Sequence, residues 1–129
     1  MRATYLPISR LTMPHTLTLY GIPNCDMIKK ARAWLEQRGI PYHFHDYKKA
    51  GVDDAALSKW VAELGWEVIL NRAGTTFRAL PDADKQGLDA EKAVALMRAN
   101  PSMIKRPVLD LGERRIVGFK PEYYQQVFS

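Results

Sequence analysis

The stretch "TLTLYGIPNCDMIKKARAWLEQRGIPYHFHDY", residues 16–47, decides the fold. Its first six residues alternate and end on Gly21, the pattern of a half-buried strand running into a turn. From about Cys25 to Arg38 the period changes. Met27, Ile28, Ala31, Trp34 and Leu35 recur at helical spacing and predict one apolar stripe. Asn24 is expected as the N-cap, because its side-chain oxygen can accept an orphan backbone N–H. Pro23 precedes it, and Gly39 supplies the stop. "PYHFHDY" (41–47) returns to the strand period, with Tyr42 and Phe44 on one face, continued by Asp46, and His43 and His45 on the other. A strand, a helix and a strand in this order predict a crossover between two parallel strands.

Downstream, "KKAGV" (48–52) reads as a loop. Asp53 or Asp54 caps a second helix whose Leu57, Trp60, Val61 and Leu64 fall at i, i+3, i+4 and i+7, and Gly65 closes it. Residues 66–87 read as irregular, with short helical turns around 67–70 and 82–86. Asp89 opens a helix that ends before Asn100-Pro101. Val94 and Met97, with Leu88 or Ala93, are expected to face inward. "RPVLDLGERRIVGF" (106–119) reads as a hairpin. Glycine at Gly112, followed by Glu113, suits the first central position of a type II′ turn. Pro121 then occupies the first turn of a last helix, where its missing N–H costs nothing, anchored by Tyr124, Val127 and Phe128. This order predicts an α/β protein: a four-stranded mixed sheet flanked by helices, the thioredoxin-like plan with a helical insertion. Residues 15–129 are read as that single domain. Residues 1–14 are read as an N-terminal tail outside the fold, with no apolar run resembling a secretory signal.

A chain of 129 residues suffices for one domain with a real core. No segment approaches the roughly 18 consecutive apolar residues of a membrane-spanning helix, so no membrane association is expected. One cysteine cannot make an intrachain disulfide, which fits a reducing compartment and a cytoplasmic location. The formal net charge of +5 suggests anionic partners. The basic residues are scattered in pairs, however, and no nucleic-acid motif is present, so nucleic acid is not the expected partner. His43, His45 and Asp46 lack a third convergent ligand, and no metal site is expected. "AGTTFR" (73–78) reads as a loop whose backbone N–H groups can cradle an anion, although such a loop alone is a weak signal.

The lone Cys25 is the candidate nucleophile. A thiolate reacts, not a thiol. The unpaired N–H groups and positive end of a helix dipole lie beside the sulfur, and Lys29 follows one turn along. The bland alternative is a small buried hydrophobe, a common fate for an isolated cysteine. The residue three after Cys25 is Ile28, so there is no C-x-x-C and a resolving thiol must come from outside. Glutathione is the abundant cytosolic candidate, and its two carboxylates suit basic neighbours.

"LYGIPNCDMIKKARAWLEQRGIPY", "IKRPVL" and "VGFKPE" together resemble the arsenate reductase (ArsC)/Spx family, in particular its small YffB-like branch. The resemblance covers residues 15–128. It implies a thioredoxin-like fold with a helical insertion and Cys25 as the catalytic residue, and Asn24 beside it is taken as substrate-binding. It also implies an Arg106-Pro107 pair, whose arginine holds an oxyanion or thiolate and whose proline is cis. A guanidinium offers the planar fork of donors that a carboxylate or arsenate needs. A second arginine is expected at Arg72; where the family places a third, this chain has Gly118, Phe119 and Lys120. The lysine supplies charge without a fork, which weakens arsenate as the natural substrate. The resemblance therefore implies a monothiol reductase without a bound cofactor, using glutathione as co-substrate, with glutathione or glutaredoxin as partner and a disulfide or small oxyanion as substrate. The alternative it implies is an Spx-like non-catalytic regulator that binds RNA polymerase. Spx-type switching commonly uses a C-x-x-C, which Ile28 removes.

Overall fold

The structure is a computed structural model that describes residues 6–7 and 17–129. Apart from Leu6 and Pro7, the expected tail lies outside the described residues. The Arg114 guanidinium donates to the Leu6 carbonyl oxygen. The chain divides into two compact units: one comprises the chain up to His45 together with Arg106–Ser129, the other Asp46–Lys105.

The first unit holds the sheet. Its strands are β1 (Leu17–Gly21), β2 (Tyr42–Asp46, whose last residue begins the other unit), β3 (Val108–Asp110) and β4 (Arg115–Val117), in the order β2-β1-β3-β4. Helix α1 (Asp26–Gln37) crosses from β1 to β2. The sheet is mixed, with β3 antiparallel to both β1 and β4. Alternation explains which face is buried. Leu17 and Leu19 of β1 join Leu109, Leu111 and Ile116 under Ala31, Trp34 and Leu35 of α1, and Tyr42 and Phe44 pack at the margin. Each fully buried leucine or isoleucine stabilises the fold by about 1.5–3 kcal/mol. The last helix, α8 (Pro121–Val127), completes this core through Tyr124, whose ring meets Trp34 and Phe119 edge-on at centroid distances of 5.5 and 4.8 Å. Between β3 and β4, Leu111 N–H donates to Arg114 O (2.8 Å) and Gly112 takes φ 89°, as the two-residue turn requires.

The second unit is helical: α2 (Tyr47–Ala50), α3 (Asp54–Leu64), α4 (Trp66–Ile69), α5 (Thr75–Arg78), α6 (Asp82–Lys85) and α7 (Ala90–Ala99), then a 3-10 turn at Pro101–Met103. Leu57, Trp60 and Val61 of α3 and Ala93 and Met97 of α7 are buried. An isolated antiparallel bridge, Leu70 to Ile104, ties the two ends of the α5–α7 segment together.

Local differences from the sequence reading have physical causes. Asp46 ends β2, and its carboxylate accepts the Lys48 N–H at 2.9 Å and starts α2 where a loop was expected. Residues 75–78 form a helical turn after Gly74, not a loop. Met27 is 40% exposed, because the helix N-terminus turns it past the edge of the stripe that Ile28, Ala31, Trp34 and Leu35 bury. Val94 is only half-buried, whereas Ala93 and Met97 take the inward positions.

One polar network joins α1 to β2. Arg32 Nε donates to the Tyr42 hydroxyl (2.8 Å), which donates to Glu36 Oε1 (2.8 Å), and the guanidinium lies 4.4 Å from the Phe44 ring centroid. Burial, and secondarily the Glu36 hydrogen bond, hold the Tyr42 hydroxyl above its ordinary pKa of 10.0, against the opposing pull of Arg32. The unfolded chain therefore releases this proton first as pH rises. The associated stability is fully present below about pH 10 and is lost as pH climbs through the raised native value. Tyr42→Phe is expected to cost up to about 1 kcal/mol at pH 7. Its stability should also decline less steeply than that of the wild type above about pH 10, as measured by urea unfolding across that range.

Candidate functional site

The candidate site is built where β1 hands over to α1. Ile22, Pro23, Asn24 and Cys25 make a tight turn in which Cys25 N–H donates to Ile22 O at 3.4 Å. Helical geometry begins at Asp26, so Cys25 itself is the N-cap (φ −102°, ψ 129°), and the expected cap, Asn24, stands exposed one residue earlier. The Cys25 carbonyl accepts the Lys29 N–H at 3.0 Å, while its side chain makes no capping bond. The half-buried sulfur thus sits at the end of a twelve-residue helix whose first N–H groups have no side-chain acceptor from the cap position. A helix N-terminus favours negative charge beside it. Asp26, exposed in the first turn, adds a negative charge that opposes it. Lys29 and Lys30 are exposed along the same turn. Arg32, next in the basic series, is committed to Tyr42 and Phe44.

Strand register delivers the second half of the site. Tyr20 is paired with Val108. The antiparallel ladder therefore runs out with the Gly21–Cys25 turn and the Arg106-Pro107 pair at the same end of the sheet. The Arg106-Pro107 bond is cis, as the resemblance implies. Pro107 is buried and Arg106 half-buried. Val108 pairs in turn with Val117, and Gly118 N–H donates to Pro107 O at 2.8 Å. Gly118, Phe119 and Lys120 therefore leave the sheet at this end too. Phe119 enters the core, and Lys120 is exposed with its ammonium 5.5 Å from the Tyr123 ring centroid. Asn24, Cys25, Arg106 and Pro107 thus belong to one unit and one end of one sheet. Arg72 does not: it is an exposed turn residue of the helical unit, its guanidinium 5.5 Å from the Trp66 ring centroid.

The sequence pattern marked Gly21 as a turn residue and Ile28 as one member of a stripe, which missed their joint role. A Cβ on Gly21 would overlap the Cδ1 atom of Ile28 and lie 2.8 Å from its Cγ1. Ile28 is fully buried. The absent side chain therefore lets α1 seat against the end of β1 and sets where Cys25 stands. Among the described residues, no group of three or more His, Cys, Asp or Glu side chains is placed to hold a metal ion. No helix there is long and apolar enough to cross a membrane.

Comparison with known proteins identifies the family. The family model described as ArsC family matches residues 20–127. A solved structure described as YFFB protein superposes with a TM-score of 0.86 at 56% identity, covering 88% of this chain and 100% of that one. An arsenate reductase (ArsC) related protein from Brucella melitensis, solved in solution, gives a TM-score of 0.71 at 54% identity over 85% and 92% of the two chains. An uncharacterized protein of Haemophilus influenzae is 37% identical over 113 residues, 88% of this chain and 99% of its own. The global transcriptional regulator Spx of Listeria innocua is 30% identical over 108 residues, 82% of each chain.

Gly21→Ala is expected to destabilise the protein by about 1–3 kcal/mol, the cost of overpacking a filled site. It should also change the rate at which iodoacetamide alkylates native Cys25. Adding Ile28→Ala, which removes the opposing atoms, should restore part of both. Chemical unfolding and intact-mass alkylation kinetics on the three variants check this.

Proposed function

The chain belongs to the ArsC family, and from that premise we propose that it is a monothiol, glutathione-dependent thiol–disulfide oxidoreductase with Cys25 as nucleophile. The observation that carries the reading is that the β1–β3 register sets a cysteine at a helix N-cap position and a half-buried arginine before a cis proline at the same end of one sheet. In the proposed reaction the Cys25 thiolate attacks the glutathionyl sulfur of a mixed disulfide. A Cys25–glutathione disulfide forms, the substrate thiolate leaves and takes a proton. A second glutathione thiolate then attacks the adduct, releasing oxidised glutathione and restoring Cys25. One glutathione thiol is consumed: its sulfur joins the glutathionyl sulfur, already at the disulfide level, as oxidised glutathione, and the substrate sulfur is reduced to a thiol. Arg106 stabilises the negative charge at the site, on the ligand carboxylate or the developing thiolate. Asn24 borders the nucleophile in the preceding turn, and Pro107 fixes the arginine's backbone. Arg72 is the further candidate from the helical unit. Arsenate is the alternative acceptor, in which an arsenate adduct on Cys25 is attacked by glutathione.

A second reading, a regulator docking on RNA polymerase, is supported by the 30% identity to a global transcriptional regulator. The two readings separate on the cysteine. Stoichiometric capture of polymerase that survives Cys25→Ala would favour the regulator.

For the reductase, wild-type protein mixed with oxidised glutathione is expected to gain one glutathionyl adduct by intact mass, and Cys25→Ser none. Arg106→Lys keeps the charge and loses the fork, and should slow adduct formation roughly tenfold, the worth of one charge-assisted hydrogen bond. Identical masses for wild type and Cys25→Ser across pH 6–8 would sink the proposal.

A further inference from the structure

The helical unit carries a groove that the proposed chemistry does not use. It holds about 510 Å³ and runs between α3 and α7. Its α7 wall is Glu91, Val94, Ala95 and Arg98, a spacing of i, i+3, i+4 and i+7 that sets one stripe along the helix. Val61 and Ala62 of α3 face them. Arg98, at the end of α7, pairs with Asp54 at the start of α3 (3.4 Å), so the two helices run in opposite directions. Both partners of that pair are more than half exposed, and such a pair has little net worth to lose on re-pairing.

The stripe is self-complementary. Glu91 and Arg98 are two helical turns apart, about 10 Å, on either side of an apolar centre at Val94 and Ala95. A two-fold axis through that centre lays α7 antiparallel on its own copy. It places Glu91 of each protomer opposite Arg98 of the other and the small Ala95 at the contact. Isologous closure of this kind needs a single patch that matches itself. The small side chains at Ala62 and Ala95 let the helices approach, while the half-buried Val94 supplies the apolar contact. We infer that the α3–α7 groove is a homodimer interface, occupied by α7 of a second copy and held in register by two reciprocal Glu91–Arg98 ion pairs.

Sedimentation equilibrium of the full chain over micromolar to millimolar concentrations tests this directly. The wild type should dimerise. Glu91→Arg places two arginine pairs across the axis, and Arg98→Glu two glutamate pairs. Each alone should raise the dimer dissociation constant at least about tenfold, since facing like charges oppose association. The two single variants mixed together should form a heterodimer, because every facing pair is then opposite in sign, and the double variant should regain self-association. Ala95→Arg, which inserts bulk at the axis, should leave a folded monomer by circular dichroism. A wild type that stays monomeric throughout overturns the proposal. So does a dimer that both charge reversals leave intact, or a mixture that shows no heterodimer.

Discussion

The antiparallel pairing of β1 with β3 is the constraint on which the candidate site depends. Its register, Thr18 to Asp110, Leu19 to Leu109 and Tyr20 to Val108, is enforced by burial. Leu19 and Leu109 both sink into the core beneath α1 and α8. A slip of one residue would turn either strand's leucines to the opposite face and forfeit about 1.5–3 kcal/mol for each. Hydrophobic packing thus fixes the ladder, and the ladder fixes which loops meet at its end. The Cys25 turn and the cis Arg106-Pro107 pair are neighbours because the core cannot tolerate another alignment.

The β4 hairpin extends the same logic. Gly112 allows a two-residue reversal, which holds Val117 opposite Val108 and brings Gly118 to the Pro107 carbonyl. The buried Arg115 sits at the opposite end, 3.4 Å from the Asp110 carboxylate. The sheet therefore separates its charges. One end closes on a structural ion pair, and the other carries Cys25 and Arg106. Only the second end has a sulfur to serve.

What the sequence revealed follows from the range of the forces involved. The β1–α1–β2 order, the Asp89 cap, the Gly112 turn and the Pro121 start of α8 are local statements about period, capping and φ, and they stand as read. Short helices such as Thr75–Arg78 have too few residues to show a period, so a glycine-threonine segment looks like a loop. In the sequence Met27 and Val94 read as inward, because a spacing of three or four gives a stripe without giving its width. Arg106 was legible only through resemblance, since nothing local marks one arginine among many. The Gly21–Ile28 contact was illegible for another reason. It is a meeting of strand and helix whose signature is an atom that is missing.

That contact bears on the proposed exchange. The position three after the nucleophile, where a resolving cysteine would complete a C-x-x-C, is filled by Ile28, fully buried over a glycine with no room for a methyl group. Seating the helix and carrying a resolving thiol compete for one position, and this chain uses it for packing. Any disulfide formed at Cys25 has no thiol within the chain to attack it, because Cys25 is its only cysteine. In the proposed reaction, the second half of the exchange then requires an external thiol with access to Cys25, which is half-buried. Under the proposed reaction, a small tripeptide thiol meets that requirement more readily than a folded domain.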